Sequence, residues 1–121
     1  TKPWPACGEI DIMEHVGNNQ NVIHGTLHYP ARFGGNADTA SKTIPNVSTE
    51  FHIYKTIWSP ESITIYVDDT LIHTVPNNAS LPFNSGFFLI FNVAMGGNLG
   101  GNIDPAFSQS SMEIDYVKVY Q

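Results

Sequence analysis

The sequence predicts an all-β protein, an antiparallel β-sandwich or barrel, because three features of its pattern agree. Apolar side chains alternate or run in short blocks and do not recur with the period of about 3.6 residues that marks a helix. Ten glycines and eight prolines divide the 121 residues into short segments. Turn-forming residues separate those segments, as is typical of antiparallel sandwiches and barrels. The length predicts a single domain over residues 1–121.

Seven segments carry the strand pattern, in order along the chain. The predicted strands cover residues 6–15, 22–29, 50–59, 62–67, 71–75, 87–94 and 112–120. Asp68-Asp69 is predicted to form a hairpin turn. Residues 30–47 and 96–102 are rich in glycine and asparagine and are predicted to be loops. Consecutive apolar residues at 86–94 predict a strand covered on both faces, and most aromatic side chains are expected in the core.

Charge and composition exclude several classes of partner. The net charge is −6 with only five basic residues, so the chain offers no basic stripe that could neutralise nucleic-acid phosphates. No apolar run is long enough to span a membrane. The lone cysteine, Cys7, cannot form a disulfide within the chain. A neutral ligand fits this composition best.

The first predicted strand carries three carboxylates, Glu9, Asp11 and Glu14, which we call the acidic triplet. Strict alternation places Glu9 and Asp11 on one face and Glu14 on the other, among the isoleucines of the core. Burying an uncompensated carboxylate there is costly. One extra residue near Ile12-Met13, a β-bulge, would return Glu14 to the side of Glu9 and Asp11. The spacing therefore predicts a bulge and a common face for the triplet.

Three interpretations of the acidic triplet remain open from spacing alone. Retaining glycoside hydrolases need two carboxyl groups about 5–5.5 Å apart, as nucleophile and acid/base, and a third acid can orient them. A calcium site is a second interpretation, since hard cations bind clustered carboxylates. The third is a solvated acidic face on an edge strand. A zinc pair of His24 and His28 is disfavoured, because no His-Glu-x-x-His pattern accompanies it.

The stretch WPACGEIDIMEHVG, residues 4–17, resembles the signature of glycoside hydrolase family 16. Its Glu-x-Asp-x-x-Glu spacing is similar to that of the laminarinase-type branch, the endo-β-1,3-glucanases. The resemblance continues in family order over most of the chain. The segments that carry it are residues 25–29, 51–54, 58, 65–68, 88–97 and 112–120.

The resemblance implies a fold and a reaction. The fold is a β-jelly-roll of two curved antiparallel sheets with an open cleft. The reaction is retaining hydrolysis of internal β-1,3-glucosidic bonds in a laminarin-like β-glucan, by a secreted enzyme that needs no cofactor for catalysis. Glu9 matches the family's nucleophile, Glu14 its acid/base and Asp11 its supporting acid.

The resemblance also implies roles for four further residues. Trp4 matches an aromatic side chain that lies against a sugar ring, and aromatic faces suit the apolar face of a sugar. His28 and Asn92 match substrate-binding positions, His28 close to the acid/base. Asp115 matches a position that helps to hold a structural calcium ion.

Family members are longer, with the catalytic motif near the middle, so the chain resembles the C-terminal half of such a domain. A half domain would expose strand edges and an apolar face. We therefore expect a homodimer or a complementary N-terminal half to complete it. The alternative function is a non-catalytic or poorly active β-glucan-binding jelly-roll fragment.

Overall fold

The computed structural model describes residues 2–121, which form two compact units. The first ends at Phe87, and the second runs from Phe88 to Gln121. No helix within the described residues is long and apolar enough to cross a membrane.

The first unit contains two three-stranded antiparallel sheets. One has the order β1-β2-β3, and its strands are β1 (Glu9–His15), β2 (Val22–His28) and β3 (Asp38–Thr43). The other has the order β4-β5-β6, and its strands are β4 (Tyr54–Trp58), β5 (Ser62–Val67) and β6 (Thr70–Pro76). A short 3₁₀ helix, Gly34–Asn36, precedes β3.

The first five predicted strands are confirmed, and so is the predicted hairpin. Val67 pairs with Thr70 across the two-residue turn, and Asp68 adopts a φ of 52°, which aspartate tolerates better than most residues. The prediction of a loop over residues 30–47 is wrong in part, because it contains β3. β3 reads DTASKT and is mostly exposed, so it carries no apolar alternation; pairing with β2 makes it a strand.

The hydrophobic core lies between the two sheets. Ile23 and Leu27 of β2 are fully buried, as is Ile65 of β5. Gly25 lies between Ile23 and Leu27 along β2. A Cβ atom at this position would come within 3.0 Å of the Ile65 side chain, so the two sheets are in close contact here. Since this face of β2 packs on the core, the alternate residues, His24, Thr26 and His28, face the other way. The acidic triplet of the neighbouring strand β1 lies on this same outer face of the sheet.

The second unit contains one short helix, α1 (Gly97–Gly100), and no strand among its described residues. The predictions of strands over residues 87–94 and 112–120 are therefore wrong for this structure. Phe83 is buried as expected, but Phe88 and Phe91 are exposed, as are Tyr116 and Tyr120. An extended segment becomes a strand only by hydrogen bonding to a neighbour, and no pairing involves either segment in the part of the chain that the structure describes.

Candidate active site

The register of β1 against β2 contains the bulge that the acidic triplet predicts. Asp11 lies opposite Thr26 and Glu14 opposite His24, so three steps along β1 match two along β2. The shift falls between Asp11 and Glu14. It brings Glu14 to the face that carries Glu9 and Asp11, as a bulge does.

Glu9 is held by the indole of Trp4. The Trp4 Nε1–H donates a hydrogen bond of 2.6 Å to Oε2 of Glu9. The indole ring is half-exposed and packs edge-on against Phe33, with ring centroids 5.5 Å apart, and beside His28 at 5.7 Å. Trp4 therefore presents an aromatic surface next to the Glu9 carboxylate, where a sugar ring would lie if both residues act as predicted.

The surroundings of Asp11 raise the pKa of its carboxyl group. Burial raises its pKa to about 8, and the negative charges of Glu9 and Glu14 add to the shift. A hydrogen bond with Glu9 acts in the same direction, because the protonated carboxyl donates to the Glu9 carboxylate. Two donors, the Trp4 indole and the Asp11 carboxyl, thus converge on Glu9.

His28 contacts Asp11 from the neighbouring strand. Its Nε2 lies 3.2 Å from Oδ2 of Asp11, although the two are not aligned as a hydrogen bond. The backbone N–H of Gly34 donates to Nδ1 of His28 at 3.1 Å, so the neutral imidazole carries its hydrogen on Nε2, the nitrogen nearer Asp11. Its predicted role in substrate binding stays a prediction.

Glu14 has a partner that the sequence patterns did not single out. The hydroxyl of Thr26, on β2, donates to Oε2 of Glu14 at 2.5 Å, and Thr26 is 4% exposed. The hydroxyls of Thr26 and Thr39 are 2.9 Å apart. Only the register could have revealed this contact, because Thr26 is unremarkable in sequence and lies opposite Asp11 once β1 and β2 pair.

Asn92 and Asp115 belong to the second unit, where both are exposed. Their predicted roles, in substrate binding and in holding a structural calcium, stay predictions.

Among residues 2–121, one group brings together three side chains that could ligate a metal, with the candidate atoms of Glu9, Asp11 and His28 within 4.8 Å of one another. Calcium prefers an all-oxygen shell, whereas this group includes an imidazole. The cluster therefore fits calcium poorly. Asp115 joins no such group in the described chain.

A family model, glycosyl hydrolases family 16, matches residues 1–118. The chain belongs to this family. The β-glucanase of Rhodothermus marinus is 41% identical over 131 aligned residues, covering 98% of this chain and 46% of that protein. The endo-β-1,3-glucanase structure from Pyrococcus furiosus superimposes with a TM-score of 0.76 at 36% identity, covering 85% of this chain and 43% of that one.

A second similar structure was solved with oligosaccharides. A LamA variant from Zobellia galactanivorans, in complex with laminaritriose and laminaritetraose, matches with a TM-score of 0.77 at 34% identity. The match covers 86% of this chain and 43% of that one. These likenesses show the all-β jelly-roll fold of the family. The chain spans 46% of the length of the Rhodothermus protein and half or less of the length of three other relatives that it matches.

Proposed function

We propose that the chain carries the catalytic strand of a retaining endo-β-1,3-glucanase of laminarinase type. The observation that supports this proposal best is the environment of the acidic triplet on β1. The bulge gathers three carboxyl groups on one face, and burial together with the neighbouring Glu9 and Glu14 raises the pKa of Asp11 to about 8. A retaining glycosidase needs two carboxyl groups on the same side of its cleft, one as nucleophile and one as acid/base.

In the proposed first step, a carboxylate oxygen of Glu9 attacks the anomeric carbon of the glucosyl unit. The bond to the glycosidic oxygen breaks, and the electron pair leaves with that oxygen, which takes a proton from Glu14. The product is a glycosyl ester on Glu9. In the second step Glu14 removes a proton from water, the resulting hydroxide attacks the same carbon, and Glu9 leaves as carboxylate.

The residues around Glu9 serve to orient it. Hydrogen bonds from the Trp4 indole and the Asp11 carboxyl hold the attacking group without forming bonds to the substrate. Positioning of this kind lowers the barrier because the reacting atoms meet in near-attack geometry. Asp11 is therefore a supporting acid in this proposal.

The substrate class rests on the relatives. The relatives named above are a β-glucanase, an endo-β-1,3-glucanase and a protein bound to laminari-oligosaccharides. We propose a laminarin-like β-1,3-glucan as substrate and, because such polymers are met outside the cell, a secreted protein. The chemistry needs no cofactor, and a structural calcium at Asp115 remains part of the proposal.

The second unit supports the proposal that the domain is completed either by a complementary N-terminal half or by a second copy. It exposes large apolar side chains, of which Phe88 is 82% and Ile90 is 72% exposed. Exposed apolar clusters of this kind mark surfaces that associate.

A second candidate function is a β-glucan-binding fragment that does not cleave. Its support is the half-exposed indole of Trp4, an aromatic surface that suits the apolar face of a sugar. A cleft with part of its subsites binds sugar without enough remote binding energy to drive the reaction.

The experiment that separates the two functions incubates the protein with laminarin and follows both reducing ends and product size. We expect reducing ends to accumulate while the polymer shortens to mixed oligosaccharides, which marks internal cleavage. Binding of laminari-oligosaccharides without any reducing-end release would contradict the enzymatic proposal and support the binding fragment. Release of glucose alone would contradict internal cleavage.

A further inference from the structure

The hydroxyls of Thr26 and Thr39 form a short chain that ends on Glu14. Thr26, on β2, donates to Oε2 of Glu14 at 2.5 Å, and its oxygen lies 2.9 Å from the hydroxyl of Thr39 on β3. Thr26 is 4% exposed, whereas Thr39 is exposed on the outer strand of the sheet. This chain of hydroxyl groups therefore runs from the edge of the sheet to the carboxyl group of Glu14.

The direction of the hydrogen bonds follows from the count of hydrogens. A threonine hydroxyl has one hydrogen to donate, and that of Thr26 is directed to Glu14. Thr26 must then accept from Thr39 at their shared contact. The other acceptor near Thr39, the carbonyl oxygen of Gly25, is 3.5 Å away and competes poorly with Thr26 at 2.9 Å.

This direction has a consequence for Glu14. Its Oε2 accepts from Thr26, so a proton bound to the carboxyl group resides on the other oxygen, Oε1. The Thr26 hydroxyl also fixes the orientation of the carboxyl plane, because a hydrogen bond from a buried side chain leaves that oxygen little freedom.

We propose that Thr26, supported by Thr39, is a positioning residue for the acid/base: it holds Oε2 of Glu14 and directs Oε1 at the glycosidic oxygen. This inference rests on the proposed function for the role of Glu14 as acid/base. The hydroxyl chain itself rests only on the distances and burial given above.

The kinetic test compares Thr26→Val with Thr26→Ser on laminarin. We expect Thr26→Val to lower kcat about 10- to 100-fold, the range that loss of a hydrogen bond to a charged group supports, with KM changed less than about twofold. Thr26→Ser keeps the hydroxyl and should restore kcat to within about threefold of the wild type. The matched control is Thr56→Val, because the Thr56 hydroxyl is buried without a partner among the described residues, and it should leave kcat unchanged.

Two kinetic results would overturn the inference. One is a Thr26→Val protein with wild-type kcat. The other is a Thr26→Ser protein as impaired as Thr26→Val, since this would show that the methyl group matters and the hydroxyl does not.

A second measurement is independent of activity, so that failure of the proposed function and failure of this inference can be told apart. Three-bond couplings of the Thr26 γ-methyl, measured by NMR, report its χ1 rotamer. We expect a single rotamer in the wild type and averaged couplings in Glu14→Ala, where the acceptor is gone. Averaged couplings in the wild type, or couplings unaffected by Glu14→Ala, would refute the hydroxyl chain even if laminarin is not hydrolysed.

Discussion

The Glu9→Gln protein is expected to hydrolyse laminarin at least about 10⁴-fold more slowly than the wild type, the loss that removal of a catalytic nucleophile causes in other hydrolases. Glutamine keeps the shape of the side chain and an oxygen that can accept from the Trp4 indole, so the fold and local packing should persist. It cannot form the glycosyl ester, because its amide is a poor nucleophile. The measurement is kcat from reducing-sugar release, beside a melting curve of each protein.

The matched control is Glu50→Gln, which changes an exposed glutamate that accepts a hydrogen bond from Asn46. It makes the same chemical change and should leave kcat and the melting temperature near their wild-type values. Equal rates for Glu9→Gln and the wild type would exclude Glu9 as the nucleophile.

The free energy of unfolding is expected to depend strongly on pH because of the pKa of Asp11. That pKa is raised from 3.8 to about 8 in the folded protein, so folding favours the protonated form. The stabilisation is fully present below about pH 4, the unfolded value, and is lost as the pH rises through about 8. The loss is on the order of 3 kcal/mol, allowing for solvent screening of a carboxyl that is partly exposed.

Asp11→Asn should remove this dependence, because asparagine is neutral at every pH and still offers a donor to Glu9. We expect the free energy of unfolding, measured with denaturant between pH 4 and pH 9, to fall with pH more steeply in the wild type than in Asp11→Asn. The control is Asp69→Asn in the exposed β5–β6 turn, which should follow the wild-type curve. Parallel curves for Asp11→Asn and the wild type would show that Asp11 ionises normally in the folded protein.

The placement of the acidic triplet was predictable from β1 itself. Strict alternation would have buried the Glu14 carboxylate, and the cost of that burial was enough to require a bulge. The observed register shift between Asp11 and Glu14 confirms it. The information was local, in the spacing of charged and apolar side chains along one strand.

The contacts across strands were not predictable in the same way. Thr26 meets Glu14 and His28 meets Asp11 only because β1 and β2 pair in one register, which no single segment specifies. β3 was missed for a related reason. Its polar, largely exposed side chains lack alternation, and its strand character comes from hydrogen bonds to β2.

The strand predictions over residues 87–94 and 112–120 are wrong in the opposite direction, because strands were predicted there and none formed. Their apolar side chains satisfy the strand pattern, yet the structure pairs neither with a neighbour. Apolar sequence favours a buried strand only where partners and a covering layer exist. Most side chains of these segments, among them Phe88 and Tyr120, are instead exposed.

The proposal that Glu9 and Glu14 act by double displacement is tested most directly by the stereochemistry of hydrolysis. Proton NMR spectra recorded in the first minutes of laminarin cleavage distinguish the anomers of the newly formed reducing ends before mutarotation mixes them. Two successive displacements at one carbon restore its configuration, so the β-anomer should appear first. Initial release of the α-anomer would show a single displacement by water and would contradict the assignment of Glu9 as nucleophile.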